Sequence, residues 1–313
     1  MKRKEKIGIW MICLIWVLAA GCSHSEDDAV VPVNKEVKTR LLTFTQMENR
    51  GSRAVLNEDA ENGLKALWKR GDQLECCNLK LEESIMTLGG ISTGRLTAQN
   101  DTVATSIFQG NMSCDENDLL AVIYPVKNFD LGKESEPEDR YFAKYTIMLS
   151  GQDGTLGTLA SDYHYMYGVA TVNSVTNSTA EASGKMKSLL AVCKFSFTDG
   201  ERHTINVKEL EISYVYDGSG GNRQIYPQGA TVKCNENGYS ITPDTSNDNA
   251  EVNNPLKIVL NSAANAVYVA LLPVTTRTFH FNVTDANDGT YTGKAMATLQ
   301  AGEYVVASIP VKN

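Results

Sequence analysis

The chain has 313 residues, with 29 Lys and Arg against 37 Asp and Glu, for a net charge of −8. That balance argues against nucleic-acid binding, which needs clustered cations to release counterions from phosphate, and it suits a soluble exterior surface. The length suffices for two domains of ordinary size, and no motif in it calls for a cofactor.

The first element is a leader. Lys2, Arg3, Lys4 and Lys6 make a basic start, followed by an apolar run over 7–20. A run of about fourteen residues falls short of the ~20 that span a bilayer comfortably, so residues 1–21 read as a secretory signal peptide. The exit, Leu18-Ala19-Ala20-Gly21-Cys22, resembles the bacterial lipobox, in which the cysteine is acylated and becomes the new N-terminus. Ala19 stands where Leu or Val is more usual. Each buried methylene contributes about 0.8 kcal/mol and one acyl chain holds only marginally, so the three chains of a lipoprotein would anchor Cys22 almost permanently. Residues 22–38 open with Ser23-His24-Ser25-Glu26-Asp27-Asp28. This acidic, flexible tether resembles the surface-export signal of Bacteroidetes lipoproteins and points to the outer face of the outer membrane.

From there the pattern is strands nearly everywhere. Runs rich in β-branched and aromatic residues occupy 41–45, 73–80, 102–109, 119–126, 145–149 and 165–172. Others follow at 189–197, 204–215, 230–234, 256–260, 266–274, 278–283, 294–299 and 304–310. They are broken by Gly, Asn and Asp clusters, and alternation in Val192-Cys193-Lys194-Phe195-Ser196-Phe197 marks strands with one buried face. Only 59–69 looks helical. Short strands without alternating helices predict an all-β protein of β-sandwiches. The polar stretch from Val172 to Ser188 marks a domain boundary, giving an N-terminal sandwich over 39–180 and a C-terminal sandwich over 181–313. Beyond Cys13 and Cys22, five cysteines remain: Cys76, Cys77, Cys114, Cys193 and Cys234. An odd number without paired spacing is no disulfide framework, and no metal site is expected. Cys76 and Cys77, adjacent in a strand, should point to opposite faces.

Catalytic patterns do not converge, and the protein is not expected to be an enzyme. His24, His164, His203 and His280 are scattered. Gly90-Ile91-Ser92-Thr93-Gly94 matches a nucleophile elbow, but no helix follows it, and a turn is the better reading. Asp285-Ala286-Asn287-Asp288-Gly289 reads as a hairpin turn rather than a calcium loop. Arg70-Gly71-Asp72, the tripeptide that integrins read, follows Trp68 at what looks like a buried strand start. Tyr163, Tyr165 and Tyr167 alternate as one face of a sheet would. Asp101-Thr102-Val103 resembles the O-glycosylation motif of Bacteroidetes exported proteins, with Thr102 as the acceptor.

Taken in order, several local patterns resemble the fimbrillin family of Bacteroidales, the subunits of type V pili. After Cys22 and its tether come the strand at 41–45, Arg50-Gly51-Ser52-Arg53-Ala54 and Trp68-Lys69-Arg70-Gly71-Asp72. Ala121-Val122-Ile123-Tyr124-Pro125, Gln152-Asp153-Gly154-Thr155 and Tyr167-Gly168-Val169-Ala170 continue the series. Leu189 to Phe195, Leu271-Leu272-Pro273-Val274 and Leu299-Gln300-Ala301-Gly302-Glu303-Tyr304 complete it. The resemblance implies two transthyretin-like, Greek-key β-sandwich domains and a cell-surface pilin subunit that supports adhesion. It also implies assembly by strand exchange with other pilin subunits. An arginine-specific protease would remove the lipidated segment together with a first strand at 39–46, after Arg53 or, second, Arg50. The opened groove would accept a strand from a neighbouring subunit, here 304–311. The alternative is a monomeric surface lipoprotein that binds glycan or a host ligand through its sandwich loops.

Overall fold

The alternation of buried and exposed residues that the strands require runs through almost the whole body. The computed structural model describes residues 38–47, 55–59, 63–80, 93–101, 103–126, 130–133, 141–218, 221–235, 237–245 and 254–313. Cys22, Arg50, Ser92, Arg53 and Thr102 lie outside the described residues, as does the leader. Strands are numbered in chain order.

Seven strands close a barrel. They are β1 (Thr39–Gln46), β4 (Gln73–Asn78), β5 (Thr93–Ala98), β6 (Ile107–Ser113), β7 (Leu119–Tyr124), β10 (Met166–Val175) and β11 (Thr179–Ser188). Their order around the wall is β1-β11-β10-β7-β4-β5-β6. The interior is filled by Leu42, Phe44, Trp68, Leu74, Leu96, Phe108, Met112, Leu120 and Val122 with Met166 and Met186. Closure depends on two glycines. A Cβ on Gly94 would lie 2.5 Å from the Asn111 carbonyl oxygen, and one on Gly110 would collide with the Arg95 carbonyl. Only at residues without a side chain can β5 and β6 come this close.

A two-stranded hairpin, β2 (Val55–Asp59) with β3 (Gly63–Leu67), follows the first strand. A four-stranded sheet has the order β16 (Gly238–Pro243), β15 (Gly229–Asn235), β9 (Tyr141–Met148), β8 (Asp130–Lys133). The remaining sheet runs β14 (Gly221–Ile225), β13 (Val207–Gly218), β19 (Val274–Asp285), β20 (Thr290–Leu299), β21 (Tyr304–Lys312), β12 (Ala191–Thr198), β18 (Val267–Leu271). Beside it, β17 (Leu256–Ala264) pairs with β13. A second core joins these sheets to the outer wall of the barrel, from Cys77, Ala121 and Ile123 through Tyr145 and Val232 to Phe197, Phe281 and Val311.

The all-β expectation holds, and where the single helix was expected the described residues form strands. Of residues 59–69, Asp59 ends β2 and Gly63–Leu67 is β3, paired with Val55 opposite Leu67 and Asp59 opposite Gly63. A window of eleven residues is too short for periodicity alone to separate a helix from a strand pair. Trp68 is then pinned as a strand residue by reciprocal backbone bonds with Val103 at 2.9 and 3.2 Å.

The stretch from Val172 to Ser188 is also strand rather than connection. It forms the end of β10, a turn and all of β11, so positions 180 and 181 sit inside a barrel strand. The inward residues of β11 are Ala180, Ala182, Gly184, Met186 and Ser188. Ala180 and Ala182 are small because they stand opposite Leu42 and Phe44 of β1, and small inward residues give almost no hydropathy signal.

Other local expectations divide. Asp285 to Gly289 is the hairpin turn between β19 and β20, with the Asp285 carboxylate accepting from the Asn287 and Gly289 backbone N–H groups at 2.8 Å each. Arg70 and Gly71 are exposed on a turn, not buried at a strand start. Gly71 takes φ +92°, and the Asp72 carboxylate is held by the Lys69 N–H at 2.6 Å. Tyr163 closes a helical turn ahead of β10, while Tyr165 and Tyr167 are buried in the second core.

All five cysteines of the body are free and buried. Cys76 faces the barrel interior and Cys77 the second core, as adjacent strand residues must. Burial pushes the thiols up, Cys114 to about 11 and Cys77 and Cys193 to about 12. At pH 8 the native body is therefore expected to be inert to an aromatic disulfide reagent, and denaturant should release all five thiols together. Stoichiometric reaction without denaturant would contradict this burial.

Candidate functional site

The candidate site is the first strand and the slot it fills. β1 pairs antiparallel with β6, from Thr39 opposite Ser113 to Thr45 opposite Ile107. On its other side it pairs parallel with β11, from Leu41 opposite Thr179 to Gln46 opposite Gly184. Arg40, Leu42, Phe44 and Gln46 point inward and are buried; Thr39, Leu41 and Thr45 point out.

Each inward residue has a distinct partner. Phe44 packs on Phe108 with ring centroids 6.0 Å apart, and Trp68 meets Phe108 and Tyr124 edge-on at 4.9 and 5.2 Å. The Trp68 indole N–H donates to the Gln46 side-chain carbonyl. Burying Leu42 and Phe44 is worth about 1.5–3 kcal/mol each. Without β1, the slot would present Phe108, Met112, Ala180 and Ala182 between two strands whose facing hydrogen-bonding edges are open.

Arg40 bolts the start of the strand. Its Nε donates to the Thr176 carbonyl at 2.7 Å, and its Nη1 donates to the carbonyls of Lys38 at 3.2 Å and of Cys114. The same guanidinium lies 3.1 Å from the Asp115 carboxylate, with the two side chains 7% and 16% exposed. Pairing and hydrogen bonding of this kind offset the cost of taking a guanidinium out of water.

The two strands singled out for exchange have one relation in common. As β1 runs parallel to β11, so β21 runs parallel to β12, from Val192 opposite Tyr304 to Thr198 opposite Pro310. On its other side β21 meets β20 only at Thr292 with Lys312 and Gly293 with Val311. Arg50 and Arg53 belong to the segment joining β1 to β2. A cut there would leave β1 attached to the body by pairing and packing alone.

A cluster that sequence reading missed holds the other side of that cut. Glu58, on β2, takes an ion pair from Lys194 of β12 at 2.7 Å. It also accepts hydrogen bonds from the phenols of Tyr268 on β18 at 2.8 Å and Tyr304 on β21 at 3.1 Å. The bonds from Lys194 and then Tyr268 hold the Glu58 carboxyl below its ordinary value, and burial with the Glu58 bond pushes Tyr304 up. These four residues lie up to 246 positions apart, so no local motif announces them.

No family model and no curated protein matches this chain. Solved structures do. A candidate cell adhesion protein from Bacteroides uniformis aligns over 88% of this chain and 93% of its own, at 15% identity and a TM-score of 0.53. Another, from Bacteroides ovatus, aligns over 87% and 92%, at 13% identity and a TM-score of 0.52. A fimbrial protein from Bacteroides ovatus aligns over 87% of this chain and 50% of its own, at 11% identity and a TM-score of 0.37. At such identities the likeness is one of fold. The chain has the all-β fold of these Bacteroides candidate cell adhesion proteins, which is the kind of fold that its fimbrillin-like sequence pattern implied.

Proposed function

We propose that this protein is a cell-surface fimbrial subunit that assembles with other pilin subunits by β-strand exchange and supports adhesion. The observation that carries the reading is β1: a terminal strand that completes a barrel through backbone pairing on both edges and alternate side chains in fitted positions. That is the chemistry of β-augmentation, in which the main chain supplies affinity and the pockets supply register. The cell-adhesion description of the Bacteroides neighbours agrees with it. In this reading Cys22 carries the lipid that holds the precursor at the outer membrane, and Thr102 carries an O-glycan. Cleavage after Arg53, or Arg50, frees β1, and β21 is the strand offered to the next subunit.

Brief trypsin treatment of the purified full chain tests the reading, with N-terminal sequence and oligomer size followed together. Cleavage is expected after Arg50 or Arg53, followed by polymers whose length grows with concentration. Arg40 should be spared until the protein unfolds, because it stands opposite Met112 in the β6 ladder, the next residue's N–H donates to the Ser178 carbonyl, and its guanidinium is buried. A clipped protein that stays monomeric at high concentration would refute strand exchange.

A further inference from the structure

The outer face of the C-terminal sheet carries a cradle of about 540 Å³, within the range of about 300–1,000 Å³ usual for small-ligand sites. It arises from register. Along β19, Phe279, Phe281 and Val283 are buried, so His280 and Asn282 face the other way. His280 stands opposite Lys294 of β20, and Asn282 opposite Thr292, which in turn stands opposite Lys312 of β21. Two cross-strand rows thus lie side by side, with Gln224 of β14 on the far wall and Pro310 beside Lys312. Directly opposed residues in such rows have side chains close enough to share one ligand.

Among the described residues the charges in this cradle are not neutralised. Elsewhere on the same sheets Lys208 pairs with Asp288 at 2.6 Å and Lys257 with Glu209 at 2.7 Å. Among the described residues no carboxylate pairs with Lys294 or Lys312. The acid nearest in register is Glu211, which accepts from the Asn282 side-chain amide at 3.2 Å and so leaves that amide's carbonyl for another partner. Burial, then the charge of Lys294, pushes His280 down, so it is a neutral imidazole at pH 7. On a chain of net charge −8, two unpaired lysines converging on one concavity are a local reversal of sign.

We propose that this cradle binds a carboxylated sugar, a uronate-type residue, with Lys294 and Lys312 on the carboxylate and Asn282, Gln224 and Thr292 on the ring hydroxyls. Pro310 supplies an apolar edge for the ring. The lining favours a carboxylate sugar over a bare phosphate. Among the described residues it contains no arginine, whose fork suits phosphate, and strand N–H groups used in pairing cannot form an anion nest. Planar amides and a hydroxyl spread across three strands instead match a ligand that presents several hydroxyls. This site is independent of strand exchange and stands whether or not the protein polymerises.

Calorimetric titration of the full chain with galacturonate and glucuronate, against galactose and inorganic phosphate, tests the proposal. At least one uronate is expected to bind at millimolar concentrations, more weakly as salt rises. Lys294→Gln and Lys312→Gln should each weaken it by about tenfold or more, the worth of one charge-assisted hydrogen bond, with the melting temperature unchanged. Failure of both uronates to bind would overturn the proposal. So would binding untouched by both substitutions, or galactose or phosphate binding as tightly as the uronate.

Discussion

Trp68→Ala is expected to lower the unfolding free energy by about 3–5 kcal/mol, the cost typical of removing a large buried aromatic. Trp68 is fully buried in the barrel and forms edge contacts with both Phe108 and Tyr124. Such ring pairs are worth about 0.5–1.5 kcal/mol each beyond their buried area. The indole also donates to Gln46 at the end of β1, so the substitution loosens the first strand as well as the interior. Urea unfolding followed by circular dichroism measures the effect. Trp68→Phe should cost distinctly less, because it keeps a ring and loses the N–H. A loss below about 1 kcal/mol for the alanine variant would mean that the barrel does not close on this residue.

The second large effect concerns exchange itself. In protein cleaved after the first strand and stripped of it in mild denaturant, a labelled peptide with the sequence of Thr39–Gln46 should rebind. Phe44→Ala in that peptide is expected to weaken binding by about two to four orders of magnitude, from a loss of ~3–5 kcal/mol at an aromatic anchor. Leu41→Ala should change little, since Leu41 points outward and is 44% exposed. Fluorescence anisotropy would separate the two. Equal effects at both positions would mean that the peptide is held by its backbone alone, or somewhere other than the slot.

The sequence made the strands with large inward residues legible. β1, β4, β12 and β19 were readable because Phe44, Leu74, Phe195 and Phe281 stand between polar neighbours, and β7 because it is one continuous apolar run. β11 was not, because its inward residues are Ala180, Ala182 and Gly184, chosen by the size of what faces them across the barrel. β5 was hidden for a related reason: its inward Leu96 and Ala98 follow Gly94, whose lack of a side chain read as a turn and is in fact what lets β6 approach. The same limit governs the candidate site. The first strand could be read from alternation, but the bolt at Arg40 depends on the carbonyls of Thr176 and Cys114. The cluster at Glu58 depends on three strands far along the chain. Both are products of topology, and no spacing rule reaches them.

The pairing of β1 also sets the symmetry of any assembly built through it. Its slot has one parallel wall and one antiparallel wall, so a replacement strand fits in a single orientation and a reversed one would mismatch both ladders. Each junction would then join unlike surfaces, a donor strand on one subunit and a slot on the next. Contacts of that head-to-tail kind do not cancel in pairs as two-fold ones do, and unless the rotation closes a ring they propagate without limit. The resulting fibre would be polar, with an unfilled slot at one tip and an unspent strand at the other. Those two ends would differ chemically, so growth and termination at each could be controlled separately.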